Sequence, residues 1–101
     1  MTPRAKYTAE IAEVAKWYGV PVWAVISPEK TRTVVKARRA AAWMLRFKYG
    51  FSHERIGRIM GGKDHSTIIF AIGMHMIAAG LDGPERRYAE RKAGLAARRA
   101  A

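Results

Sequence analysis

Apolar side chains recur along this chain with the spacing of one helix face, and glycine or proline separates one such stretch from the next. The first stretch runs from about Thr8, a candidate N-cap, to Tyr18. Within it, Ile11, Val14 and Ala15 follow the spacing of a buried face, so we predict an amphipathic helix. The apolar run at 22–26 is predicted to form one or two helical turns, because no partner strand is visible elsewhere in the sequence.

The longest predicted helix starts at Ser27-Pro28, with serine as N-cap and proline at the first helical position, and it ends at Tyr49 before a glycine. One of its faces is apolar and suits the core. A second face carries a row of cations, because spacings of four and seven residues return to nearly the same angle. This row consists of Arg32, Lys36, Arg39 and Arg46. Such a row suits contact with phosphates, and it is equally typical of a solvated face.

Two further helical segments are joined by a pair of glycines. Ser52 is a candidate N-cap for a short helix at 53–60, and Gly61-Gly62 predicts a tight turn. Asp64 is a candidate N-cap for a helix that continues to Ala79. Two helices with a tight glycine turn between them predict a helix-turn-helix.

The segment after residue 82 is basic and rich in alanine, and it lacks a wide apolar stripe. We expect the stretch from Arg86 to Arg99 to be partly helical and loosely attached. Two regions are therefore predicted, a helix-turn-helix domain at 1–81 and a C-terminal tail at 82–101. The predicted fold class is all-α, a bundle of about five to six helices.

Charge and composition narrow the function of such a bundle. The 101 residues leave room for one domain, and the absence of cysteine excludes thiolate metal sites and fits a reducing cytoplasm. The net charge is +11, and ten Lys/Arg against three Asp/Glu lie between residues 29 and 64. This field favours nucleic acid as the partner, ahead of a membrane or an acidic protein. We expect no membrane association, no small-molecule substrate, no cofactor, and a place at the nucleoid in the cytoplasm.

The first turn of the helix after Gly61-Gly62 carries the side chains best suited to reading DNA. In a helix-turn-helix this turn meets base edges in the major groove. There, Asp64 can accept a hydrogen bond from the amino group of cytosine. His65, Ser66 and Thr67 can donate to bases or phosphates. The alternative for Asp64 is a capping role alone, and both roles can hold together.

These residues resemble a known family. The run Gly-Gly-Lys-Asp-His-Ser-Thr at 61–67 is close to the signature Gly-Gly-Arg-Asp-His-Ser/Thr-Thr of the C-terminal DNA-binding domain, domain IV, of the DnaA replication initiators. Ser52, Ile56-Gly57, Lys36-Ala37-Arg38 and the Ala15/Tyr18 pair support the match. The resemblance extends from residue 8 to about 81 and implies a Trp-repressor-like, DnaA-type helical fold.

The resemblance also implies roles for individual residues. It implies base reading by Asp64, His65, and Ser66 or Thr67. Lys30 falls where many members have an arginine in the minor groove, and a lysine lacks the planar fork. This departure affects reading of the AT-rich half of the family's target box. Arg32 is expected to contact the DNA backbone because of its place in the cation row. The resemblance implies contact with the DNA backbone for a further set of residues. They are Arg38, Arg39, Arg46, Lys63, Thr67 and the main chain near His53 and Glu54.

The expected function is sequence-specific binding of double-stranded DNA at boxes resembling TTATCCACA, in control of replication initiation or transcription. No phosphate-binding loop of the Walker type is present, so no ATPase activity is expected. Either a free-standing protein or an excised domain fits, and the basic tail favours the former. Because the family's boxes are not palindromic, we expect a monomer to bind one box.

Other functions are open at this point. A packaging protein of the nucleoid would use the same charge without reading bases, and an adaptor would bind a protein through 68–70. Catalysis is not expected, because the successive residues Asp64, His65 and Ser66 point about 100° apart on a helix and cannot form a relay. No metal site is expected from the histidine spacing. The tryptophans, which could stack on single-stranded bases, are expected in the core because apolar residues surround them. They are Trp17, Trp23 and Trp43.

Overall fold

The computed structural model describes residues 2–94. These residues form six helices and no strand, which confirms the predicted all-α helix-turn-helix bundle. The helices are α1 (Pro3–Tyr18), α2 (Val22–Ile26), α3 (Arg32–Tyr49), α4 (His53–Ile59), α5 (His65–Ala79) and α6 (Pro84–Lys92). Part of the expected helical tail, residues 95–99, lies outside the described residues.

The start of α1 differs from the prediction. The helix begins at Pro3 instead of near Thr8, and the hydroxyl of Thr2 caps it by accepting from the Ala5 amide at 3.2 Å. A threonine followed by proline is the same start signal that the sequence shows at Ser27-Pro28. The predicted buried face is present, since Ile11 and Ala15 are almost fully covered.

The start of α3 was also predicted wrongly. Ser27 ends α2 and does not begin α3: its amide donates to Trp23 and Ala24 carbonyls, and its hydroxyl donates to the Ala24 carbonyl at 2.8 Å. The same hydroxyl accepts from the Glu29 amide, which turns the chain away. The helix therefore begins at Arg32 and ends, as predicted, before Gly50.

Helix α3 lies at the centre of the bundle and contacts α1, α2, α4 and α5. Its inner face is rich in alanine, so neighbouring helices approach closely. The largest fully buried side chains come from four helices and the turn after α4, and they join these helices in one core. They are Val25, Leu45, Ile56, Met60, Ile68 and Ile72.

Two of the three tryptophans are not in this core, contrary to expectation. Trp17 is 85% exposed and Trp23 is 65% exposed, whereas Trp43 packs partly buried against the core. Trp17 follows the buried Ala15 by two residues, and on a helix this turns its side chain roughly 200° away from the buried face. Apolar neighbours in sequence therefore misled the prediction.

The loose attachment expected for the segment after residue 82 is not seen in α6, which packs against α5 with Glu85 and Ala89 buried. The contact depends on Gly73 of α5. A Cβ atom at Gly73 would lie 2.1 Å from the carbonyl oxygen of Glu85 and 2.5 Å from the Cβ of Ala89. The missing side chain thus lets the two backbones meet.

Candidate nucleic-acid interface

The turn between α4 and α5 is built by glycines. Gly61 and Gly62 have φ values of 92° and 80°, in the left-handed region that favours glycine. Gly57 of α4 lets the turn pass close, because a Cβ there would lie 2.1 Å from the Lys63 carbonyl oxygen. The amides of Gly62 and Lys63 both donate to the Gly57 carbonyl at 2.9 Å. These contacts fix where α5 begins.

Asp64 caps α5, as the sequence predicted. One carboxylate oxygen, Oδ2, accepts from the Ser66 amide at 3.0 Å and also from the Ser66 hydroxyl. The other oxygen, Oδ1, lies 3.7 Å from Nδ1 of His65, which is beyond hydrogen-bonding distance. The hydrogen bonds from the Ser66 hydroxyl and amide lower the pKa of Asp64, so the carboxylate is held in its charged form.

The other predicted base readers stand on the same turn. The side chain of His65 is 53% exposed, Thr67 is exposed, and Ser66 is half-buried beside Asp64. Ile68, the next residue, is buried in the core and anchors the turn. The structure thus brings Asp64, His65 and Thr67 together at the surface at one end of a rigid helix.

Arg38 and Lys63, two predicted phosphate contacts, point instead toward the end of α2. Nε of Arg38 donates to the Val25 carbonyl at 2.8 Å, and its terminal nitrogen donates to the carbonyls of Ala24 and Ser27 at 3.0 and 2.6 Å. The ammonium of Lys63 donates to the Met60 and Ile26 carbonyls at 2.8 and 3.2 Å. Burial lowers the pKa of both side chains. We call these two residues the Arg38–Lys63 pair.

Arg46 and His53, expected at the DNA backbone, are joined by a carboxylate that the sequence reading missed. Oε2 of Glu85 in α6 lies 3.1 Å from Nε2 of His53 and 3.5 Å from Nε of Arg46. Arg46 also donates to the Phe51 carbonyl at 3.0 Å. Burial alone would raise the pKa of Glu85, but its backbone hydrogen bond, His53 and Arg46 together lower it. We call Glu85, Arg46 and His53 the Glu85 cluster.

The remaining predicted contacts are more open. Lys30 and Arg32 are exposed, and Arg39 is half-buried with its guanidinium 5.9 Å from the centre of the Phe70 ring. Burial lowers the pKa of Arg39. Lys30, Arg39 and Thr67 all line a groove of about 640 Å³ between the loop before α3, α3 itself and the start of α5. This groove connects the cations of α3 with the first turn of α5.

Known proteins match this part of the chain. A family model described as the bacterial dnaA protein helix-turn-helix matches residues 10–74, which include α2, α3, α4 and most of α1 and α5. The chain belongs to this DnaA helix-turn-helix family. The chromosomal replication initiator protein DnaA of Pelobacter propionicus is 37% identical over 70 residues, and that of Streptococcus pyogenes serotype M5 is 38% identical over 60 residues.

The match to these relatives is partial in length. It covers 67% of this chain but 16% of the Pelobacter protein, and 59% of this chain but 13% of the Streptococcus protein. No solved structure matches the chain. A DnaA-family helix-turn-helix is a DNA-binding module and not a catalytic one, so the family supports binding of double-stranded DNA.

Helix α6 and its Glu85 lie outside the matched residues of the DnaA family model. The local sequence gives one signal for Glu85, an acidic residue in the first turn of a helix that opens with proline. That pattern predicts an exposed carboxylate that interacts favourably with the positive end of the helix dipole. Only the tertiary fold shows that this carboxylate reaches α3 and α4.

The described residues of this DnaA-family chain contain neither a single helix that could cross a membrane nor a group of side chains that could hold a metal ion. Among residues 2–94, no single helix is long and apolar enough to cross a membrane, and only α5 and α6 taken together, with a 100° bend at their break, reach that length and composition. The same residues contain no group of three or more His, Asp or Glu side chains placed to hold a metal ion.

The Arg38–Lys63 pair predicts a stability effect at Arg38. We expect Arg38→Met to lower the free energy of unfolding by about 1.5–3 kcal/mol, because it leaves carbonyls at the end of α2 without their charged donor. Urea unfolding followed by circular dichroism measures this change. Arg32→Met, at an exposed position of the same helix, is the control and should stay close to wild type. An unchanged midpoint for Arg38→Met would show that these hydrogen bonds contribute no net stability to the fold.

The Glu85 cluster predicts a dependence of stability on pH. The folded-state pKa of Glu85 lies below its ordinary value of 4.5, so its contribution is complete above about pH 4.5 and is lost as the pH falls through the folded-state pKa. We expect the free energy of unfolding of wild type to fall with acidification more steeply than that of Glu85→Gln. Urea unfolding at a series of pH values between about 6 and 3 tests this. Parallel curves for the two proteins would show that Glu85 is not held in its charged form.

Proposed function

We propose that this chain binds double-stranded DNA sequence-specifically at sites resembling the DnaA box TTATCCACA, with the first turn of α5 in the major groove. The observation that carries the proposal is the exposed carboxylate of Asp64 at the end of the stretch 29–64, in which ten Lys/Arg stand against three Asp/Glu. A carboxylate among phosphates is unfavourable unless a hydrogen-bond donor on a base meets it.

The geometry of Asp64 supports base reading beside capping. Oδ2 accepts both hydrogen bonds from Ser66, whereas Oδ1 lies 3.7 Å from Nδ1 of His65, on a side chain that is 64% exposed. A charged carboxylate only accepts hydrogen bonds, and in the major groove the amino group of cytosine is a matching donor. His65 and Thr67 add donors on the same turn, and the Thr67 methyl group can pack against thymine.

The cations around this turn supply affinity in the proposal. Lys30 and Arg39 line the groove beside α5, and Arg32 is exposed at the start of α3. All three are assigned to the DNA backbone or minor groove. Arg46 is assigned to a phosphate as well, since its side chain keeps 35% exposure while Glu85 holds it. The Arg38–Lys63 pair and His53 support the interface through their contacts with the carbonyls of α2 and with Glu85.

The biological role that follows is control of replication initiation or of transcription by occupying such boxes, without ATPase activity. One copy of the chain is proposed to bind one box, because the box lacks the two-fold symmetry that dimeric helix-turn-helix proteins read. A packaging protein would hold DNA through the same cations, but it would make no use of Asp64.

The test compares the affinity of wild type and Asp64→Ser for a duplex with the TTATCCACA box and for a duplex with the box scrambled. Serine keeps a capping oxygen, so α5 should still form. We expect Asp64→Ser to lose about 1–3 kcal/mol on the box through loss of a base contact. On the scrambled duplex it should bind equally well or more tightly, because a negative charge is gone.

Asp82→Ser is the matched control, since Asp82 is an equally charged and 83% exposed residue beyond the far end of α5. It should keep the wild-type ratio of box to scrambled affinity. Fluorescence anisotropy titrations give both affinities, and their end point should be one chain per duplex. If Asp64→Ser keeps the wild-type ratio as well, the first turn of α5 does not read bases and packaging is the better description.

A further inference from the structure

Helix α6 is placed against the proposed reading helix by backbone contact. Its Glu85 carbonyl and the Ala89 side chain occupy the space that a side chain at Gly73 would fill. Ala89 is fully buried in this contact, and the carboxylate of Glu85 joins Arg46 and His53 on α3 and α4. The position of α6 relative to α5 is therefore fixed by the fold.

This placement brings the last turn of α6 next to the first turns of α5. Tyr88 and Lys92 line a groove of about 320 Å³ together with Ser66, Thr67 and Phe70. Phe70 also lines the larger groove that contains Lys30 and Arg39. Cations of α3 and α6 therefore flank the same stretch of α5.

The charges at the start of α6 are occupied within the protein. Arg87 lies 3.6 Å from the carboxylate of Asp82, and Arg86 lies 3.6 Å from Glu90 and donates to the Leu81 carbonyl at 3.0 Å. Glu85 is buried in its cluster. The first turn of α6 thus presents little uncompensated charge.

The end of α6 has the opposite character. Arg91 and Lys92 are both exposed, and the sequence beyond Glu90 contains no further acidic residue. The positive field of this helix is therefore strongest beside the groove that holds Ser66 and Thr67. An ammonium group in that place has the reach and the charge to meet a phosphate next to the bases that α5 reads.

We propose that the C-terminal end of α6, through Lys92 with Tyr88 beside it, is a second DNA-backbone contact next to Ser66 and Thr67 in the first turn of α5. This inference rests on the proposed function, because it places α5 in the major groove. It assigns α6, outside the DnaA family match, to the interface as a phosphate contact that carries no sequence information.

The experiment compares Lys92→Ala with Arg87→Ala, which removes the same charge from the same helix five residues earlier. Affinities for the box duplex and the scrambled duplex are measured by anisotropy across a series of salt concentrations. For Lys92→Ala we expect several-fold weaker binding to both duplexes and a slope of log K against log salt that is reduced by about 0.9. Arg87→Ala should keep the wild-type slope, since Asp82 already pairs with Arg87.

Thermal unfolding of both variants separates a loss of contact from a loss of structure, because Lys92 and Arg87 are exposed and each replacement should leave Tm close to wild type. A slope for Lys92→Ala equal to that of wild type or of Arg87→Ala would overturn the inference. If wild type prefers the box while Lys92→Ala shows no effect, this inference fails alone. If Lys92→Ala reduces the slope but wild type shows no preference for the box, the α6 contact stands and the proposed base reading fails.

Discussion

The carbonyl groups at the end of α2 accept hydrogen bonds mainly from outside that helix, from the Arg38–Lys63 pair. Helix α2 has only five residues and could not persist without tertiary contacts. Arg38 comes from α3 and Lys63 from the turn before α5, so the same bonds join three parts of the chain. The carbonyl dipoles offset the cost of burying two cations side by side, which is visible in the lowered pKa of both. The place of Asp64, one residue after Lys63, follows from this arrangement.

The Glu85 cluster also joins separate helices, but through a buried carboxylate in place of buried cations. A buried carboxylate from α6 holds Arg46 and His53, and the close approach at Gly73 holds α6 against α5. The cations of this protein are therefore of two kinds. Some stabilise the bundle through carbonyls or carboxylates, and others, such as Arg32 and Lys92, are exposed. The net charge of +11 is thus not spread evenly over the surface.

The parts that the sequence predicted are those specified by local chemistry. The glycine pair and Asp64 define the start of α5 because a tight turn and an N-cap need only a few neighbouring residues. The prediction at Ser27 was wrong because a serine can end one helix as well as begin the next. Arg38 and Lys63, which are distant in sequence, donate to the carbonyls at Ser27 and Ile26 and stabilise the helix end there. Glu85 could not be predicted as a buried ion-pair partner, because its contacts lie on α3 and α4. Trp17 was misplaced by its neighbours, although the face of Ile11 and Ala15 pointed away from it.

We propose that the first turn of α5, held in place by the glycine turn before it and by the buried Ile68, reads one DNA sequence. The most direct measurement is the sequencing of duplexes that the purified protein retains from a random pool at about physiological salt. We expect enrichment of a single, non-palindromic box resembling TTATCCACA. Retention without any enriched sequence would contradict base reading, and an enriched palindrome would contradict binding by one copy of the chain.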